Sequence, residues 1–266
     1  MIVKGTTMTN RFRAPIGAPC WVDLCTSDVD LGRSFYAQLF GWEAQQPSPE
    51  HGGYFMFTRQ GVPVAGAMGA MGDTRATDTW MPFLATDDVE RTLQLAWERG
   101  STVRAPAMAV DDLGTQALVT DPSGAVIGLW QPGSFPGFTV INEPGAVLFV
   151  AIDVHDYKAQ NAFYREVLGW EPVEEEVDDH HYAGFMDPET GRPLAGIGDE
   201  VENLEPGEVP AWSIFWQCDD IDAAAATVRS LGGTVIKEPQ DGGLGRHARV
   251  ADPVGARFWL CETKRN

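Results

Sequence analysis

The chain repeats itself, and this repeat limits its possible folds more than any other feature. Residues 35–42 read Phe-Tyr-Ala-Gln-Leu-Phe-Gly-Trp, and residues 163–170 read Phe-Tyr-Arg-Glu-Val-Leu-Gly-Trp. Asp87-Asp88-Val89 recurs as Asp219-Asp220-Ile221, and segment 114–124 recurs as 245–255, both ending in Asp-Pro-x-Gly. Three matching pairs in the same order, at a nearly constant offset, predict two tandem halves.

Glycine and proline mark the division between the halves, as linkers often do. We predict a disordered N-terminus over residues 1–15 and a first domain over 16–132. A linker follows over 133–144, and a second domain over 145–263.

Each half divides again into two similar units. Residues 21–25 have the pattern of a strand, and Asp28 is placed to cap a helix that carries Phe35 and Leu39 at helical spacing. Residues 80–85 restart the order, with Asp88 as the next cap and Gly100 at the helix end. The unit of a strand, a helix and two or three strands, used four times, predicts an α+β fold.

Composition excludes several classes of function. The 266 residues carry 19 Lys and Arg against 38 Asp and Glu, a formal net charge of -19. Such a surface repels nucleic acid and anionic membranes, so neither is expected as a partner. The sequence has no apolar run long enough to span a membrane and no secretory signal pattern at its start. Four scattered cysteines predict free thiols and a cytoplasmic protein.

These patterns resemble a known superfamily. The capped helix with Phe-Tyr and Leu-Gly-Trp, followed by an Asp-Pro-x-Gly hairpin, is similar to the vicinal oxygen chelate superfamily of glyoxalases, bleomycin-resistance proteins and extradiol dioxygenases. The opening residues 20–24 (Cys-Trp-Val-Asp-Leu) and the ending 128–131 (Gly-Leu-Trp-Gln) look like the tandem actinobacterial type. That type includes a mycobacterial antigen and accessory "hydroxylase" proteins of anthracycline and angucycline pathways. The resemblance implies two glyoxalase-like domains of four βαβββ modules, whose curved mixed sheets enclose cavities.

The same resemblance implies where a divalent metal is held in catalytic members, and this sequence departs from the pattern there. In those members the ligands lie on the first strand, on the strand before the second helix and after the Asp-Pro-x-Gly turn. Here these positions are Trp21, Met81 and Gly128 in the first half and Phe149, Ser213 and Trp259 in the second. Stretches 61–71 and 191–198 contain no His, Asp, Glu or Gln. Because these side chains are poor metal donors, we predict no metal ligands and no cofactor.

Large apolar residues stand where ligands are implied. Side chains alternate between the two faces of a strand, so one parity of each strand is expected to face a cavity. That parity gives a predicted aromatic pocket with a few polar groups, as ligand pockets generally have. The predicted ligand-binding residues are Trp21, Met81, Phe83, Gln116, Leu118, Trp130, Phe149, Asp153, Ser213, Phe215, Arg249 and Trp259. Trp42, Trp97 and Trp170, on or just after helices, are predicted to be core.

Asp23 and His247 are the candidate catalytic residues, since a carboxyl or imidazole among aromatic side chains can serve in proton transfer. His180 and His181 are adjacent on a predicted strand, so they point to opposite faces and do not chelate a metal by themselves.

The leading hypothesis is a metal-free binding or accessory protein for a flat aromatic or polyketide-like ligand, in natural-product tailoring, sequestration or resistance. An oxygenase is a candidate partner, and the chain is expected to be a monomer or a homodimer. The alternative is a lyase, isomerase or oxygenase of the superfamily that acts without metal or with a non-standard metal site.

Overall fold

The computed structural model describes residues 13–70, 77–177, 179–201, 204, 209–243 and 245–263. The predicted disordered N-terminus lies mostly outside these residues. The first half contains β1 (Pro19–Thr26), α1 (Val29–Phe40), β2 (Glu43–Ala44), β3 (Phe55–Arg59), β4 (Val62–Gly69), β5 (Thr79–Ala85), α2 (Val89–Glu98), β6 (Val103–Val110), β7 (Gly114–Thr120) and β8 (Val126–Pro132).

The second half repeats this order. It contains β9 (Val147–Asp153), α3 (Tyr157–Leu168), β10 (Val173–Val177), β11 (His180–Met186), β12 (Pro193–Gly198), β13 (Ser213–Gln217), α4 (Ile221–Ser230), β14 (Thr234–Gly242), β15 (Gly245–Ala251) and β16 (Arg257–Glu262). The α+β prediction is confirmed.

Each half forms one eight-stranded mixed sheet that is open at its edges. The orders are β2-β3-β4-β1-β5-β8-β7-β6 and β10-β11-β12-β9-β13-β16-β15-β14. The first strands of the two modules, β1 and β5, pair antiparallel at the centre, and β9 and β13 do the same. Each sheet therefore joins two βαβββ modules side by side, as the resemblance implies.

The helices begin where the sequence places their caps. The carboxylates of Asp28, Asp88, Asp156 and Asp220 each accept a hydrogen bond from the backbone N–H three residues later. These bonds satisfy N–H groups that have no partner within the helix. Helix α2 ends at Glu98, with Arg99 at its C-cap and Gly100 just beyond.

The repeated motifs meet at the contact between the halves. The Tyr36 hydroxyl on α1 donates a hydrogen bond of 3.0 Å to Asp252 Oδ2, in the Asp-Pro-x-Gly turn of the second half. The Tyr164 hydroxyl on α3 likewise donates over 3.0 Å to Asp121 Oδ2, in the turn of the first half. Both tyrosines are fully buried, and burial raises the pKa of both carboxyls. The contact is reciprocal, as in a two-fold dimer.

The tryptophans that close the repeated Leu/Phe-Gly-Trp segments follow the same symmetry. Trp42 Nε1 donates to the Gly145 carbonyl oxygen, and Trp170 Nε1 donates to the Gly17 carbonyl oxygen, each over 2.9 Å. Each tryptophan thereby binds the first residues of the opposite half.

Trp97 corrects one prediction. Its side chain is 67% exposed, whereas Trp42 and Trp170 are buried as predicted. Trp97 lies in the last turn of α2, about 100° around the helix axis from the buried Ala96, so it points off the packed face.

In the described part of the chain, no helix is both long and apolar enough to cross a lipid bilayer. All four cysteines lie among the described residues and are thiols rather than halves of a disulfide, as predicted.

We expect Tyr36→Phe and Tyr164→Phe each to lower the free energy of unfolding by about 1–3 kcal/mol, because each removes a buried hydroxyl between an indole N–H and a carboxyl. Trp80 Nε1 donates to Tyr36 over 2.9 Å, and Trp212 Nε1 donates to Tyr164 over 3.0 Å. Urea unfolding of the two variants measures the loss. Midpoints equal to that of the unmodified chain would show that the reciprocal contact contributes no stability.

Candidate functional site

The predicted pocket residues of the first half lie on one face of its sheet. Leu24, of the opposite parity, points at Gly32 of α1, so the predicted residues occupy the face away from that helix. We call this face the first cup. Opposed pairs on adjacent strands share a face, and the pairs here are Trp21 with Phe83, Asp23 with Met81, Gly128 with Phe83 and with Leu118, and Gln116 with Trp130.

The segment that joins the halves fills much of the first cup. The Phe135 ring meets the Trp21 ring edge-on at a centroid distance of 4.9 Å, and the Phe138 ring lies 5.3 Å from Trp21. Trp130 Nε1 donates to the Phe135 carbonyl oxygen over 2.9 Å. Trp21 and Trp130 are therefore covered by residues of their own chain.

A cavity of about 160 Å³ remains beside Asp23 and Met81. Residues 209–212 of the second half form its opposite wall. Because ligand pockets usually enclose about 300–1,000 Å³, this space suits at most a small fragment.

Asp23 is the buried polar centre of the first cup. Its Oδ1 accepts hydrogen bonds from Trp21 Nε1 over 3.1 Å and from the Tyr54 hydroxyl over 2.9 Å. The same indole N–H also lies 3.0 Å from the Tyr54 oxygen. These contacts hold the carboxylate against the sheet.

Tyr54 has a counterpart in the second half that sequence reasoning missed. Tyr54 Oη lies 1.9 Å from the point that a Cβ on Gly66 would occupy, and Tyr182 Oη lies 2.0 Å from the equivalent point on Gly196. Only glycine leaves room for either phenol. The signal was available, because the tyrosines and the glycines recur at the offset of the repeat.

One row of side chains crosses five strands of the second sheet. Register places Lys237 opposite Arg249, Arg249 opposite Trp259, Trp259 opposite Phe215 and Phe215 opposite Phe149. The Phe215 and Trp259 rings are parallel within 2°, with centroids 5.3 Å apart. The concave face that carries this row is the second cup.

The second cup contains the larger cavity, of about 410 Å³. Four predicted residues line it, whereas Phe149 and Phe215, on the neighbouring strands, do not. Residues 77–79 of the first half, with Ala211 and Trp212, also line this cavity. The four lining residues that the sequence predicted are Asp153, Ser213, Arg249 and Trp259.

The histidines lie outside both cavities. The His247 ring packs 5.4 Å from Trp259, and its Nε2 is 3.2 Å from Gln240 Nε2. His181 Nδ1 lies 2.9 Å from Asp199 Oδ2, and His180 Nδ1 lies 3.4 Å from Asp199 Oδ1. Asp23 and His247 belong to different cups, so the structure does not combine the two candidate catalytic residues in one site.

The residues at the implied metal positions do not fit a divalent cation. A Cβ on Gly128 would lie 2.2 Å from the Phe83 ring, so an aromatic ring fills the space where the resemblance implies a carboxylate ligand. Trp259 stacks on Phe215 at the corresponding place in the second half. Among the residues with described positions, no three His, Cys, Asp or Glu side chains are grouped closely enough to hold a metal ion.

Paired βαβββ modules that build open concave sheets define the fold of glyoxalases and extradiol dioxygenases. Comparisons with solved structures agree. The 2,3-dioxygenase LapB of Pseudomonas sp. KL28 matches with a TM-score of 0.64 and 16% identity, over 96% of this chain and 94% of that one. The Mn(II)-bound glyoxalase of Novosphingobium aromaticivorans has the same TM-score at 15% identity, over 93% and 82%. At such identities the likeness concerns the fold.

The chain belongs to the glyoxalase-like family of the vicinal oxygen chelate superfamily. A family model described as "Glyoxalase-like domain" matches residues 149–261. The protein named "Putative glyoxylase CFP32" of Mycobacterium tuberculosis is 34% identical over 91% of this chain and 93% of its own length. "Anthracycline biosynthesis protein DauV" of Streptomyces sp. is 33% identical over 93% and 94%.

We expect the chain to retain far less than one metal ion after incubation with Fe(II), Mn(II), Ni(II), Co(II) or Zn(II) and desalting, because the implied positions lack imidazole and carboxylate donors. Elemental mass spectrometry measures the ratio. Near-stoichiometric retention of any one metal would contradict this expectation and indicate ligands among His180, His181 and His247.

Proposed function

We propose that the chain binds a planar aromatic small molecule in the second cup, without a metal, as an accessory or tailoring protein of a natural-product pathway. The fold and the relatives named as anthracycline biosynthesis proteins support the pathway role. The proposed binding site is the 410 Å³ cavity that Trp259 lines.

The size and wall of this cavity favour a flat ring system. Its volume lies in the range of small-molecule sites, whereas that of the first cup falls below it. Trp259 is held by its stack on Phe215, so it offers a fixed aromatic surface. Stacking on such a ring contributes about 0.5–1.5 kcal/mol beyond the burial of apolar area.

A second candidate is proton-transfer catalysis in the same cup. Burial and the nearby Asp153 carboxylate raise the pKa of Tyr182, so its phenol stays protonated at neutral pH. A phenol that keeps its proton can stabilise negative charge on a substrate oxygen by a hydrogen bond, while the neighbouring Asp153 carboxylate can serve as the base. Loss of product formation in Tyr182→Phe, with ligand binding retained, would favour catalysis by this chain. If the chain instead presents the ligand to a separate oxygenase, turnover should occur only when that oxygenase is added.

We expect the unmodified chain to bind tricyclic hydroxyquinones with a Kd below about 100 μM, equivalent to about -5.5 kcal/mol. Replacement Trp259→Leu should weaken binding by about tenfold, since it removes stacking and buried aromatic area. Isothermal titration calorimetry measures both.

Trp97→Leu is the matched control, because this exposed tryptophan on α2 lies outside both cavities. Its affinity should equal that of the unmodified chain. The proposal fails if no planar quinone binds, or if Trp259→Leu and Trp97→Leu bind equally well.

A further inference from the structure

The second cup separates its charged groups onto two walls. Basic side chains stand on β14, β15 and β16, and an acidic side chain stands on β9. A second carboxylate, Asp78 of the first half, also lines the cavity, and its Oδ1 accepts hydrogen bonds from the Ser27 backbone N–H and hydroxyl. In this order of strands, two others lie between β15 and β9, so these two strands are about 14 Å apart across the sheet. The chain has a net charge of -19, which makes a basic wall inside a cavity unusual.

Three cations surround Trp259 on the basic wall. Arg249 is its cross-strand neighbour and is only 7% exposed, and Lys237 Nζ lies 5.8 Å from the Trp259 ring centroid. Arg257 precedes Trp259 by two residues on β16, so it lies on the same face of the sheet and at the exposed mouth of the cavity. Arg249 and Arg257 both line the cavity.

The carboxylate on the opposite wall leans away from these cations. Asp153 Oδ1 lies 2.7 Å from the point that a Cβ on Gly198 would occupy, which places the oxygen over β12. The Tyr182 phenol lies over the neighbouring Gly196 on the same strand. One end of the cup is therefore carboxylate and phenol, and the other end is guanidinium and ammonium.

The basic wall is specific to the second cup. At the offset of the repeat, Leu118 and Gly128 take the places of Arg249 and Trp259, and the two pairs have the same cross-strand register. Ala105 stands opposite Leu118 as Lys237 stands opposite Arg249. Because the equivalent wall of the first cup is apolar, the fold alone does not require these charges.

Building on the proposed function, we infer that the planar ligand of the second cup is an aromatic carboxylic acid. The acid group lies at Arg249 and Arg257, the ring lies against Trp259, and hydroxyl groups at the far end donate to Asp153. A guanidinium binds a carboxylate through two parallel hydrogen bonds, which are stronger than neutral ones.

Two probes with the same ring system test the acid group. Anthraquinone-2-carboxylate and anthraquinone-2-carboxamide differ in charge and share the surface that stacks. By titration calorimetry at pH 7, we expect the carboxylate to bind at least about tenfold more tightly than the amide. The reason is that hydrogen bonds between charged groups are stronger than hydrogen bonds between neutral groups.

Three variants assign the effect to the guanidinium. Arg249→Met should abolish the preference for the carboxylate while leaving the affinity for the amide nearly unchanged. Arg249→Lys keeps the charge and loses the paired geometry, so it should retain part of the preference and also covers the case that Arg249→Met does not fold. Arg104→Met removes one exposed charge from β6, outside both cavities, and should keep the full preference.

Equal affinity for the two probes would overturn the acid ligand and leave the planar-ligand proposal standing. Binding of neither probe would overturn both. A preference that survives unchanged in both Arg249 variants would overturn the assignment to the basic wall.

Discussion

The arrangement of the two halves depends on one reciprocal contact. In each half a tyrosine hydroxyl donates a hydrogen bond to the aspartate in the Asp-Pro-x-Gly turn of the other half. Tyr36 and Tyr164 are fully buried, and each also accepts a hydrogen bond from an indole N–H of its own half. Breaking either bond leaves polar groups without partners away from water, which is costly. The contact fixes how one half sits on the other, and residues 77–79 and 209–212 thereby form walls of the cavities in the opposite cups.

Much of this organisation could be predicted from the sequence, because it rests on local and periodic signals. Asp28 and Asp88 cap helices, and the repeat predicts the order of elements in the second half. Strand parity places Trp21, Phe83 and Gly128 on one face. These features depend on neighbouring residues or on alternation, which a single sequence displays.

The contents of the cups could not be predicted, because they depend on contacts between distant segments. No pattern in residues 133–144 indicates that Phe135 packs on Trp21 and accepts a hydrogen bond from Trp130. Parity also fails to distinguish a residue that lines a cavity from one that does not, since Phe149 has the predicted parity and lies outside the lining. Trp97 shows the same limit on a helix, because helical spacing does not reveal whether a residue beside the packed face is covered by other elements.

The reciprocal contact gives the molecule the symmetry of an isologous dimer whose subunits have been joined into one polypeptide. In a dimer of identical subunits, every substitution appears in both sites at once. Here each copy has its own codons, so one concave surface could become a buried support, sealed by Phe135, while the other kept its opening and gained Arg249 and Lys237. Covalent joining thus allows unequal halves within a symmetric frame.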